Sequence, residues 1–131
     1  GMVSDWSSNV CFSGRVKQGY LAARRDVVNR FVQATMEGNY LALANERLAK
    51  DVLDRKTGVT DQKIIDISYR DFKLQTPPNI EPTRQAAENV IANASAGGST
   101  RVEDYVDFGI IEQLKTEGFV EALRRKYTRG P

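Results

Sequence analysis

A mainly α-helical chain forming one compact domain is predicted by three features of the sequence. Apolar residues recur at three- and four-residue spacing over most of residues 26–127, capping residues and glycines punctuate those runs, and only Asn9 to Val16 has the character of a strand. At 131 residues the chain has the length of a single domain, able to bury roughly two thirds of the surface that its unfolded form exposes. Hydrophobic residues at 40% and charged residues at 27% are ordinary globular values and exclude both a disordered chain and a disulfide-stapled miniature. The expectation is about six helices, with an N-terminal arm or strand over residues 1–15 and the helical domain over 16–131.

The stretch Asn9 to Val16, NVCFSGRV, is short and apolar, but one strand makes no sheet. It must pair with a second copy, pack as an extended arm, or have lost its partners. Lys17 to Arg25 allows a short helix, and Asp26 is placed to cap a long one. In that helix Val27, Val28, Phe31, Val32, Met36, Tyr40, Leu41 and Leu43 form a wide stripe. Gly38 inside it costs about 1 kcal/mol against Ala, which predicts a close approach to the backbone there. Asn45 then caps a helix with Leu48, Val52 and Leu53 inward and with Glu46/Lys50 and Asp51/Arg55 as outward pairs. Gly58 supplies a left-handed stop, followed by Val59 as its hydrophobic contact, and Thr60 is placed to start the next helix. The next helix, Asp61 to about Gln75, carries Ile64, Ile65, Ile67, Tyr69 and Phe72.

TPPNIEP, Thr76 to Pro82, ends that helix, because proline lacks the amide donor and disfavours helical geometry in the residue before it. Thr83 reopens a helix with Ala86, Ala87, Val90, Ile91 and Ala94 inward. AGGS at Ala96 to Ser99 is a loop, and TRVE at Thr100 to Glu103 has capping-box spacing. The last region, Val102 to about Tyr127, places Tyr105, Val106, Ile110, Ile111, Leu114, Phe119, Val120 and Leu123 on its apolar side, with Gly109 and Gly118 dividing it into pieces.

Composition narrows the chemistry. With no His and a single Cys, Cys11, the His-based triads, a Cys/His nucleophile and most metal sites are excluded, and no cofactor is expected. Nineteen Lys and Arg against seventeen Asp and Glu are interspersed along the chain, unlike the concentrated basic face of a nucleic-acid binder. The basic run Arg124 to Arg129 reads as cations complementing a helix C-terminus. No run reaches the ~20 apolar residues that a membrane helix needs. The opening GMVSDWSSNV has neither the basic start nor the apolar stretch of a signal peptide, so a chain expressed as it stands is expected in the cytoplasm.

The candidate constellations are thin. Glu103 and Asp107 share a helix face at i,i+4, the nearest approach to paired carboxylates, but they read as first-turn acids favoured by the helix dipole. AGGS precedes a helix start without matching a dinucleotide or P-loop fingerprint. The sequon at Asn93 to Ser95 is too common a tripeptide to carry weight, and Trp6 and Tyr20 are read as core or interface aromatics. A non-catalytic protein is expected.

Three phrases in order carry a resemblance: Asp26 to Gly38 (DVVNRFVQATMEG), Tyr69 to Pro82 (YRDFKLQTPPNIEP) and Val106 to Phe119 (VDFGIIEQLKTEGF). Together they resemble the C-terminal part of ABC-importer solute-binding proteins of the nitrate, sulfonate, taurine and thiamine-precursor type. The resemblance implies the C-terminal helical part of a type II periplasmic-binding-protein fold, a periplasmic setting, and, for full-length members, a small-molecule solute and a membrane permease as partners. It also implies that the sheets and ligand-facing loops of a two-lobed clamshell are missing from this chain, so that a non-catalytic portion unable to bind solute alone is expected. The alternative is a stand-alone helical interaction or dimerisation module. Asn79 and Glu81 are the weak candidates for ligand contact. Helices that cover a sheet expose apolar faces without it, so a homodimer is expected, with NVCFSGRV as a candidate for strand pairing.

Overall fold

The structure, a computed structural model, describes residues 16–81, 83–94 and 97–128. Among them seven α-helices follow one another without a strand: α1 (Gln18–Ala23), α2 (Arg25–Ala44), α3 (Glu46–Thr57), α4 (Gln62–Gln75), α5 (Arg84–Ala94), α6 (Gly109–Thr116) and α7 (Phe119–Thr128). A 3₁₀ turn, Val102–Asp104, lies between α5 and α6. The expected arm or strand over residues 1–15 lies outside the described residues, and Val16 is exposed coil ahead of α1.

Most helix ends follow local chemistry. Asn45 Oδ1 accepts the Leu48 N–H at 3.1 Å, Asp61 Oδ1 accepts the Lys63 N–H at 2.9 Å, and Thr83 Oγ1 accepts the Ala86 N–H at 3.2 Å. Gly58 stops α3 at φ 69°, and Gly118 at φ 82° separates α6 from α7. Three starts differ from expectation. Asp61, not Thr60, caps α4. Helix α2 begins at Arg25 with Arg24 as an N-cap that makes no side-chain bond, so Asp26 sits inside the first turn, where it still favours the positive helix end. At 99–104, Ser99 Oγ rather than Thr100 takes the Arg101 N–H, at 3.2 Å, and Glu103 reaches Arg84 instead of folding back. A single 3₁₀ turn is too short to close a capping box.

Two apolar clusters organise the chain. The larger unites Met36 and Tyr40 of α2, Ile80, Ile110, Ile111 and Leu114 of α6, and Val120 and Leu123 of α7, flanked by Leu21, Val28, Val32, Phe119 and Tyr127. Met36 is 0% and Leu114 1% exposed, so α2 crosses the α6–α7 pair at the point of deepest burial. The smaller cluster joins Ala87 and Ile91 of α5 to Val102, with Val106 and Phe108 packed against it.

The connection from α4 to α5 is a rigid elbow. Pro77 O accepts the Ile80 N–H at 3.1 Å, and Ile80 adopts φ 49°, a left-handed conformation that a β-branched residue enters only at a cost of about 1–2 kcal/mol. Its side chain is buried in the larger cluster, worth about 1.5–3 kcal/mol, which offsets the strain. Asn79 Oδ1 accepts the Tyr40 hydroxyl at 2.9 Å, and Tyr69 Oη donates to the Ala42 carbonyl at 2.9 Å. The two tyrosines thus fix α4 and the elbow to the second half of α2.

The α3–α4 hairpin is the least covered part. Leu53 is half-buried and Ile65 and Tyr69 are buried, but Leu48 and Val52, expected inward, are exposed, and so are Ile64 and Ile67. The reason is tertiary: α4 packs on one side only, against α3 and the end of α2, and the sequence gives it apolar residues on two sides. Phe31 is likewise exposed at 62%. The Glu46–Lys50 pair forms at 2.6 Å and extends to Asp66 at 2.8 Å, whereas Arg55 donates to the Asp51 carbonyl rather than to its carboxylate. The expected approach at Gly38 is also absent: among the described residues nothing lies within 4 Å of where its Cβ would stand.

In urea unfolding, Met36→Ala and Leu114→Ala should each cost about 2–5 kcal/mol, the cost of a cavity in a closed core. Leu74→Ala, at a side chain 77% exposed, should stay within about 0.5 kcal/mol of the parent.

Candidate functional site

Where the elbow, the start of α5 and the start of α6 meet, an open cleft of about 440 Å³ is lined by Glu81, Thr83, Arg84, Phe108 and Glu112. Each lining residue owes its place to a helix end: Thr83 caps α5, Arg84 is its first residue, Phe108 precedes α6, and Glu112 stands in its first turn. The Arg84 guanidinium lies 5.5 Å from the centre of the Phe108 ring and donates to Glu103 at 2.8 Å. Lys115 Nζ bridges the two acids, 2.8 Å from Glu81 and 3.3 Å from Glu112. Its pKa is raised, chiefly by the bond to Glu81, so the ammonium is held in place.

The volume falls within the range of small-molecule sites, but the chemistry is already satisfied within the chain. Arg84 is paired with Glu103, and both carboxylates with Lys115, so an incoming polar group has to displace an existing ion pair. Of the two ligand candidates from sequence, Glu81 lines this cleft and Asn79 does not: its side chain is taken by Tyr40.

Glu103 and Asp107 do not converge. Glu103 pairs with Arg84, while Asp107 receives the Arg25 guanidinium at 2.8 and 3.4 Å and the Gly109 N–H at 2.7 Å. A Cβ at Gly109 would stand 2.8 Å from Arg25 Nη2 and 3.0 Å from Asp107 Oδ1, so a larger residue there would push the clamp's side chains aside. The Arg25 fork holds the Asp107 carboxyl below its ordinary range against a smaller opposing effect of burial. Sequence spacing gives no hint of this clamp, whose partners are 82 residues apart. On the opposite side Lys126 and Tyr127 both donate to Glu37 Oε1 at 2.7 Å and lower its pKa, which puts the basic last turn of α7 to use within the chain.

Tyr105, expected on the apolar side, is exposed and donates from its hydroxyl to the Ser99 carbonyl at 3.0 Å, closing the loop that includes Gly97 and Gly98. Tyr20 is exposed on α1, and Trp6 and Cys11 lie outside the described residues. Among the described residues no group of three His, Cys, Asp or Glu is placed to hold a metal ion, and no helix is long and apolar enough to cross a membrane. No family model, curated protein or solved structure matches the chain.

The Asp107 clamp has a pH signature. Because the folded carboxyl titrates below its unfolded value of about 3.9, its contribution is complete above that pH and is lost as the pH falls through the lowered folded value. Urea midpoints of the parent and Asp107→Asn should differ at pH 7 and draw together as the pH falls through the lowered folded value, and a gap that stays constant as the carboxylate is protonated would refute the ionic origin of the clamp.

Proposed function

We propose that this chain is the non-catalytic C-terminal helical portion of an ABC-importer solute-binding protein of the nitrate, sulfonate, taurine and thiamine-precursor type, unable to bind solute alone. The observation that carries the reading is the uncovered apolar surface: Phe31 on α2 and Ile64, Ile67 and Leu74 on α4 face outward. Helices built to cover a sheet have this two-sided character. The three phrases of the resemblance add support, falling on α2, on the end of α4 with the elbow, and on the segment from Val106 to the start of α7. The cleft at Glu81 supports the inability to bind solute alone, since each of its charged side chains already holds an ion pair within the chain. On this reading the setting is periplasmic and the full-length protein meets a permease.

A second reading, a stand-alone helical interaction or dimerisation module, is favoured by the same uncovered faces. In either case exposed apolar faces seek a cover, and the simplest is a second copy of the chain. A permease gene and an ATPase gene beside the coding sequence would favour the transport reading.

A thermal-shift screen with nitrate, sulfonates, bicarbonate, pyrimidines and aromatic acids should give no response. A ligand at a hundred times its dissociation constant would add about 2.7 kcal/mol, so a saturable rise with any of them overturns the inability to bind solute. Light scattering at high micromolar concentration should report a dimer, and a strict monomer there would remove the self-association.

A further inference from the structure

The outward side of α2 carries a seam that no described residue closes. Val27, Phe31, Ala34, Gly38 and Leu41 recur at four- and three-residue spacing and therefore share one side of the helix, away from the buried Met36 and Tyr40. Phe31, Ala34 and Gly38 are exposed, and Val27 and Leu41 at the two ends are half-buried. A glycine in the middle of a helix costs about 1 kcal/mol relative to Ala. At Gly38 nothing among the described residues comes within 4 Å of a Cβ, so packing inside the chain does not call for it.

We propose that this seam is the contact between two copies of the chain, with the two α2 helices antiparallel about a twofold axis beside Ala34. The Phe31 ring of each copy then packs over the bare backbone at Gly38 of the other. The inference rests on the self-association proposed above and gives it a location. A second copy is the occupant because one antiparallel pairing, centred on the Ala34–Thr35 peptide, seats both Phe31 rings and also brings opposite charges together.

Charge follows the same symmetry. Arg30 and Glu37 lie on one flank of the seam, two turns apart, and the twofold brings Arg30 of one copy toward Glu37 of the other. Arg30 makes no ion pair among the described residues, and Lys126 and Tyr127 both bond Glu37 through Oε1, leaving Oε2 for a further donor. The outer side of α4 is the competing surface. There Asp71 lies in the same stripe as Ile64, Ile67 and Leu74, and close packing would bury a carboxylate that has no ion-pair partner among the described residues. One helix face per copy falls at the small end of interface sizes, below about 1,200 Å² in total, where weak and transient associations are found.

Sedimentation of the parent, Phe31→Glu and Leu74→Glu tests the location, with far-UV circular dichroism confirming that each variant keeps its helices. The parent and Leu74→Glu should dimerise alike, and Phe31→Glu should weaken the dimer by about tenfold or more. In a Cys11→Ser background, Ala34→Cys beside the axis should oxidise to a disulfide-linked dimer, since a bridge needs Cα atoms about 4.4–6.8 Å apart. A dimer that survives Phe31→Glu and leaves Ala34→Cys unlinked overturns this location while the self-association stands. A parent chain that stays monomeric at high micromolar concentration removes both.

Discussion

Ile80 occupies a left-handed backbone conformation because its side chain has a place in the core. A β-branched residue at φ 49° is unfavourable by itself, and the chain accepts it where burial beside Met36, Tyr40 and Leu114 returns a comparable free energy. Everything that follows in sequence depends on that exchange. With Ile80 seated, Glu81 is brought within reach of Lys115, and Thr83 starts α5 in the orientation that joins it to Val102 and Phe108. The prolines before it narrow the alternatives of the unfolded segment, so the elbow loses little entropy on folding.

Ion pairs then register the smaller cluster against the larger one. Arg25–Asp107 links the start of α2 to the start of α6, Arg84–Glu103 links α5 to the 3₁₀ turn, and Lys115–Glu81 links α6 to the elbow. These pairs are partly exposed, and individually such pairs contribute little to stability. Their effect is positional: they fix which helix ends face the cleft and give each of its charged side chains a partner within the chain.

The uncovered faces are the counterpart of this economy. Helix α4 spends Ile65, Tyr69 and Phe72 on the contact with α3 and α2 and keeps Ile64, Ile67 and Leu74 outside, while α2 keeps Phe31. Single exposed apolar side chains are ordinary on protein surfaces. A helix with two apolar sides is not, because each side at helical spacing is the mark of a packing partner. The proposed functions share this starting point and differ in what supplies the missing cover.

Sequence by itself determined the helical class, the single domain, the caps at Asn45, the stop at Gly58, the break after Gln75 and the division at Gly118, since each rests on local backbone chemistry within a few residues. It also located most of the α6–α7 core, where one stripe has one partner. It misjudged Phe31, Leu48 and Val52, because periodicity reports that a side is apolar without reporting whether another element reaches it. Of the site, Glu81 was legible as a residue of the proline connection, while its pairing with Lys115, the Arg25–Asp107 clamp and the role of Tyr105 were not. Those contacts join positions far apart in the chain or depend on the path of a loop, and only the packed helices bring them together.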